Sequence, residues 1–157
     1  MKFEVIKNYS EELQQMLKPY CLRLEIAGSI RRQMPECKDI DIVCIPDKYR
    51  LEEFLKLQGN KTGIRFEKNG SLYKRFKYKS NDIDLYIGNK NNFGWLYFIR
   101  TGSKEWNQRA LIQLKKHNIT SENCQLFRPF NETVPTPEEQ DVFDLLECNF
   151  VEPQRRK

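Results

Sequence analysis

Three features of the sequence predict an α+β protein: aspartates alternating with isoleucine, an Asn-Gly pair between two alternating runs, and helix caps on either side of them. Residues 1–90 read as a mixed sheet with helices on one face, and residues 91–157 as a smaller C-terminal α/β subdomain. In chain order, Ser10 followed by Glu11 and Glu12 predicts an N-cap with acids in the first turn of a helix, which Pro19 stops. Leu22, Leu24 and Ile26 alternate with polar residues, giving a strand that leads into Gly28-Ser29, where a short helix begins and presents its amides to an anion. A second strand covers 39–45. Leu51, Phe54 and Leu55 set the apolar side of a helix that Gly59 closes. Ile64–Lys68 and Leu72–Phe76 flank Asn69-Gly70, the strongest short hairpin signal. Ile83–Ile87 follows as another strand.

Beyond it, Phe93–Arg100 leads into Thr101-Gly102-Ser103, a turn and cap. The next helix runs through Trp106, Asn107 and Arg109 as far as His117, with Trp106, Ala110 and Leu114 at core spacing and Asn118 closing it. Cys124–Phe127 reads as a short strand. Thr136-Pro137-Glu138-Glu139 predicts a helix start, with Thr136 as N-cap, proline at the first position and Glu139 completing a capping box. Val142, Phe143, Leu145 and Leu146 form its buried side.

Composition excludes several classes of function. With 39% hydrophobic and 31% charged residues among 157, the chain is long enough for a real core and has no apolar run that spans a membrane. Met1-Lys2-Phe3-Glu4 carries no signal-peptide pattern, so an intracellular setting is expected. Cys21, Cys37, Cys44, Cys124 and Cys148 form no CxxC pair, which argues for reduced thiols and against a disulfide framework or zinc site. The only histidine, His117, lies beside Lys115 and Lys116, a solvated position, so His-based nucleophilic schemes are set aside. The net charge of +5 is modest. Its distribution says more: basic residues interleave with aromatics in Tyr73–Lys79 and close the chain at Arg155-Arg156-Lys157, which fits a polyanionic partner.

The chemistry is concentrated in Asp39-Ile40-Asp41. On a strand these carboxylates share one face, where they repel, and such a pair persists because a divalent cation sits between them. Carboxylate with water is the ligand set of Mg²⁺. Upstream, Gly28-Ser29 allows backbone amides and a hydroxyl to approach a phosphate, with Arg31 and Arg32 as permanent donors. Asp82 and Asp84 repeat the alternation, and on spacing alone either is eligible as a third acid. Three converging carboxylates can hold two metal ions for phosphoryl transfer.

Together, Gly28-Ser29-x-Arg31-Arg32 with Asp39-x-Asp41, Ile83-Asp84-Leu85, Leu96-Tyr97-Phe98 near Thr101-Gly102-Ser103, Asn107, Asp141–Leu146 and Glu152-Pro153 resemble the family X DNA polymerases, the polymerase beta family. The resemblance covers residues 20–157 and is to a minimal palm-plus-thumb form, similar to small virus-encoded members. It implies a nucleotidyltransferase palm over 1–90 and a thumb over 91–157. It further implies a DNA-directed DNA polymerase that adds dNTPs to a primer 3′ end with release of pyrophosphate, in short-gap repair, as a monomer. Asp39 and Asp41 would bind both Mg²⁺ ions, with Mn²⁺ as a substitute, and Asp84 rather than Asp82 would complete the site and help activate the primer hydroxyl. Gly28, Ser29 and Arg32 would hold the triphosphate, Gly102 would lie beside the sugar, and Asn107 would touch the edge of the incoming base. DNA phosphates would be met by Lys74, Arg75, Lys77, Lys104, Arg109, Arg155 and Arg156.

Two positions depart from the pattern. Aligned without gaps from Asp84 to Thr101, the family's Tyr-Phe pair falls on Ile99-Arg100, with Tyr97-Phe98 two residues early. The family's minor-groove arginine falls on Leu111, with Arg109 as the nearest substitute. Both bear on sugar selection and fidelity. The alternatives are a nucleotidyltransferase acting on an RNA end, a protein or a small molecule, a template-independent terminal transferase, and a non-catalytic nucleic-acid-binding module.

Overall fold

A computed structural model describes residues 1–62 and 64–157. The chain opens with helix α1 (Phe3–Leu17), and strand β1 (Cys21–Ile26) and the single turn α2 (Gly28–Arg31) follow. Next come β2 (Asp39–Pro46), α3 (Lys48–Thr62), β3 (Phe66–Asn69), β4 (Tyr73–Tyr78) and β5 (Asn81–Ile87). The five strands form one mixed sheet in the order β1-β2-β5-β4-β3, with β2 and β5 parallel and the other neighbours antiparallel.

The two-residue period of the strands divides the sheet's faces. Leu24, Ile40, Ile42, Cys44, Phe76, Ile83 and Leu85 point to one side and pack against Ile6, Leu13 and Leu17 of α1 and Leu51, Phe54 and Leu55 of α3. The opposite side carries the aspartates. It is open only in part, because Phe93 and Leu96 pack with Ala27 and Val43 beyond the acids.

Helix α1 begins at Phe3, seven residues ahead of the N-cap expected at Ser10. Ile6, Ser10, Leu13 and Leu17 lie on one buried stripe at helical spacing, and this stripe outweighs the local capping signal. The Ser10 hydroxyl donates back to the Lys7 carbonyl at 2.7 Å. The helix ends ahead of Pro19 as expected, in a 3₁₀ turn over Lys18–Tyr20. Helix α3 runs past Gly59 rather than closing there.

The C-terminal part holds α4 (Phe93–Thr101), α5 (Lys104–Lys116), three short strands β6 (Thr120–Glu122), β7 (Gln125–Arg128) and β8 (Glu132–Val134), and α6 (Glu139–Leu145). The strands pair antiparallel in the order β6-β7-β8. Trp95, Phe98, Ala110, Leu114, Leu126, Val134, Val142 and Phe143 form a second core, with Trp106 half-buried at its edge. Ser103 caps α5 by accepting from the Trp106 amide at 3.2 Å, and Asn118 follows its last turn in the left-handed region. Helix α6 starts two residues later than expected, with a capping box of Glu138 and Asp141 in place of Thr136 and Glu139. The cause is tertiary: the Gly94 amide donates to the Thr136 carbonyl at 2.8 Å and the Thr136 amide to the Asn91 carbonyl at 2.7 Å, holding this segment extended. Among the described residues, no helix is long and apolar enough to cross a membrane.

Candidate functional site

The parallel register of β2 and β5 places Asp41 opposite Asp84 and Asp39 opposite Asp82 on the face away from α1 and α3. Asp84 is 4% exposed. Asp82 lies nearer solvent, where a hydrogen bond from Lys77 at 2.8 Å holds its carboxyl below the usual range. The register thus gives each acid of β2 an acidic neighbour on β5, and burial distinguishes the two: Asp84 is enclosed and Asp82 is not.

The turn after β1 is locked to β2. The Ala27 amide donates to the Asp41 carbonyl at 2.8 Å, and Gly28 sits at φ +60° so close to Asp41 that a Cβ would lie 1.9 Å from its Oδ2. Only glycine meets both conditions. Because α2 is a single turn of four residues, it does not present the helix N-terminus that the sequence led one to expect. The Ser29 hydroxyl is buried with no protein partner.

The acids lack full compensation. Burial, then the charges of Asp39 and Asp84, push Asp41 up to about 7, with Arg100 and Arg32 pulling it partly back. Asp39 is also raised, by burial and then by Asp84. Asp84 has partners of its own: the Tyr73 hydroxyl donates to Oδ1 at 2.5 Å, and Arg75 Nη1 lies 3.1 and 3.0 Å from its two oxygens. Among the described residues, no three His, Cys, Asp or Glu side chains are gathered tightly enough to hold a metal ion as they stand. The donor chemistry nonetheless suits a hard divalent cation. Asp39 and Asp41 supply oxygen ligands whose mutual repulsion a cation would relieve.

The arginines divide by role. Arg31 is enclosed: it donates to Glu139 through Nη1 and Nη2, both at 2.7 Å, and to the Thr101 hydroxyl at 2.7 Å, so it presents nothing to a phosphate. Arg32 donates to the Thr101 carbonyl beside Gly102, which is at φ +72°, and acts electrostatically on Asp41. Arg100 lies over the Tyr86 ring at 4.1 Å with its Nε buried and unpartnered. Asn107 donates to the Ile99 carbonyl at 2.7 Å and leaves its Oδ1 buried without a partner. Of the Tyr97-Phe98 pair, Tyr97 lies under the Arg31 guanidinium at 3.7 Å and Phe98 belongs to the second core.

The expected phosphate contacts fare unevenly. Lys74, 3% exposed, is on the helix-packed face and bonds Asn69 at 2.6 Å and Glu52 at 2.8 Å. Arg156 is 1% exposed and bonds Glu139 at 2.7 Å. Neither can meet DNA, so both assignments are corrected. Arg75 and Lys77 are engaged by acids of their own sheet, and Arg109 donates to the Lys157 carbonyl. Lys104 and Arg155 are exposed. Sequence reasoning missed Tyr73 and Glu139. For Tyr73 a signal existed, since it shares the parity of Arg75 on β4. Compared with models of known protein families and with curated proteins, the chain matches none.

Proposed function

We propose that this protein is a nucleotidyltransferase of the polymerase beta type that extends a DNA primer 3′ end by phosphoryl transfer from a dNTP, in short-gap repair. The observation that carries the reading is the parallel register that sets Asp41 opposite Asp84 and Asp39 opposite Asp82, beside a glycine-serine turn that abuts Asp41 and whose serine hydroxyl is buried and unpartnered. Asp39 and Asp41 would hold Mg²⁺, with Asp84 joining them. When bound, the ions supply charge neutralisation at the triphosphate and a lowered pKa at the attacking hydroxyl. The chain's own residues do the rest. Ser29 donates to the triphosphate, Arg32 and Arg100 offset its charge, and Asp84 accepts the proton of the primer hydroxyl. Asn107 offers its free Oδ1 to the base edge, and Gly102 leaves room for the sugar. Such chemistry needs positioning and charge more than covalent help, which a small chain can provide.

DNA would be held through its phosphates by Lys104, Arg155 and the end of α5 at Lys115 and Lys116, so affinity falls steeply with salt. One observation favours a second reading, transfer to a non-DNA acceptor: β4 engages Lys74 with Glu52 and Arg75 with Asp84 instead of displaying them, and its exposed Lys77 is paired with Asp82.

The test is extension of a labelled primer on gapped, recessed and unpaired DNA with Mg²⁺ and either dNTP or NTP, for native protein and Asp84→Ala. Templated extension of gapped DNA by native protein alone supports the proposal. Extension of unpaired ends only makes the protein a terminal transferase, and no extension of any DNA redirects the search to other acceptors.

A further inference from the structure

Arg75 touches three carboxylates at once. Its Nη1 straddles Oδ1 and Oδ2 of Asp84 at 3.1 and 3.0 Å, its Nη2 lies 3.3 Å from Oδ2 of Asp82, and its Nε donates to Oε2 of Glu67 at 3.2 Å. Only Asp84 is buried among the three. With Tyr73 donating to the same carboxylate, both Asp84 oxygens are engaged by donors where a metal ion needs lone pairs. Asp82 and Glu67 sit to the solvent side, and Asp82, opposite Asp39, adds only the smallest of the charges that act on that acid.

We propose that Arg75 is a built-in stand-in for the cation at Asp84. It holds this carboxylate in the cation-free protein and releases it when a divalent cation binds Asp39 and Asp41, remaining seated on Asp82 and Glu67. The cation's presence rests on the nucleotidyltransferase reading. The inference goes further by giving Asp82 and Glu67, which touch no reacting atom, a positioning role. The planar guanidinium makes the exchange cheap, since the bonds of Nη1 can be given up while those of Nη2 and Nε are kept. An arriving cation repels the guanidinium, and the two outer carboxylates keep its charge paired as it withdraws.

Binding of Mn²⁺, followed by electron paramagnetic resonance without DNA or nucleotide, tests the exchange. Arg75→Ala should bind Mn²⁺ about tenfold more tightly than native protein, the weight of a charge-assisted hydrogen bond. Arg75→Lys, which keeps the charge but loses the three-way grip, should also tighten binding, and it carries the test if Arg75→Ala does not fold. Asp82→Asn should weaken binding about threefold in native protein and distinctly less in the Arg75→Ala background, a coupling that a general field effect does not produce. The inference is overturned if Arg75→Lys binds as native does, or if Asp82→Asn weakens both backgrounds equally. Native protein that binds Mn²⁺ with no sensitivity to Arg75 removes this inference alone. Native and Arg75 variants that all fail to bind remove the nucleotidyltransferase reading with it.

Discussion

Two charged clusters flank α4, and burial acts on both with opposite results. At Glu139, burial pushes the carboxyl up, and hydrogen bonds from Arg31 and Arg156 more than reverse it, leaving it below the usual carboxylate range. The Arg156 guanidinium also lies 5.4, 5.1 and 5.4 Å from the rings of Phe98, Phe143 and Phe150. At Asp41 the same burial is followed by further repulsion from Asp39 and Asp84, and the carboxyl ends at about 7. The first cluster pairs its charges and ties Arg156 to α2, though Nη2 of Arg156 is left buried without a partner. The second holds an excess of negative charge beside an unpartnered hydroxyl. Charges paired within the chain hold a fold together, whereas an under-compensated cluster is a candidate site for a group the chain itself does not supply.

The contrast can be broken from either side, and the largest effect is expected at the open cluster. On the proposed function, Asp41→Asn should lower primer extension about a thousandfold or more, the equivalent of several kcal/mol of transition-state stabilisation. It should leave the melting temperature unchanged or higher, because it removes repulsion. Glu139→Ala should do the reverse and destabilise the protein by about 3 to 5 kcal/mol in denaturant unfolding, since it leaves a buried guanidinium uncompensated. A loss of activity at Glu139 without loss of stability would blur the distinction.

Gly28→Ala acts on the joint between the turn and the acids. A left-handed backbone costs a residue with a Cβ about 1–2 kcal/mol, and the new methyl must displace Asp41, so extension should fall about a hundredfold from misplacement alone. Unfolding and extension assays on the same sample separate the two.

The smallest effect sharpens the comparison through pH. Asp41 carries a raised pKa of about 7 in the folded state against an ordinary value of 3.8 unfolded. Between these values the native state binds the extra proton, so this group's contribution to stability falls as pH rises from about 4 to about 7. Glu139, with its pKa lowered, contributes in the opposite sense: its stabilisation is present above the ordinary glutamate value and is lost as pH falls below it. Thermal unfolding without divalent cations should show Asp41→Asn removing the dependence between about pH 4 and 7 and leaving the loss of stability below the ordinary glutamate value, about 4.5.

The acid face was legible because strand parity is local: Asp39 and Asp41 had to share a side, and so did Asp82 and Asp84. Which acid of the second pair faces which of the first was not, since the parallel register of β2 and β5 joins residues 43 apart in the chain and no local pattern encodes it. Lys74 was misplaced although its parity with Phe76 on β4 put it on the helix-packed face. Its charge was weighed above its period, and Glu52 and Asn69 supply what burial demands. Arg156 had no such signal. A basic chain end reads as solvated, and only the tertiary meeting of Phe98, Phe143 and Glu139 draws it inside. The strands Thr120–Glu122 and Glu132–Val134 are three residues each and mostly exposed, too short to show alternation. Ser10 shows the converse, a cap residue absorbed by a longer apolar stripe.

The proposed function requires the open cluster to bind a divalent cation, and titration of Mn²⁺ into native protein and into the Asp39→Asn, Asp41→Asn double variant tests this. The account predicts saturable binding to native protein, competed by Mg²⁺, and none to a folded double variant. Equal binding by both proteins, or no binding by the native one, would contradict it.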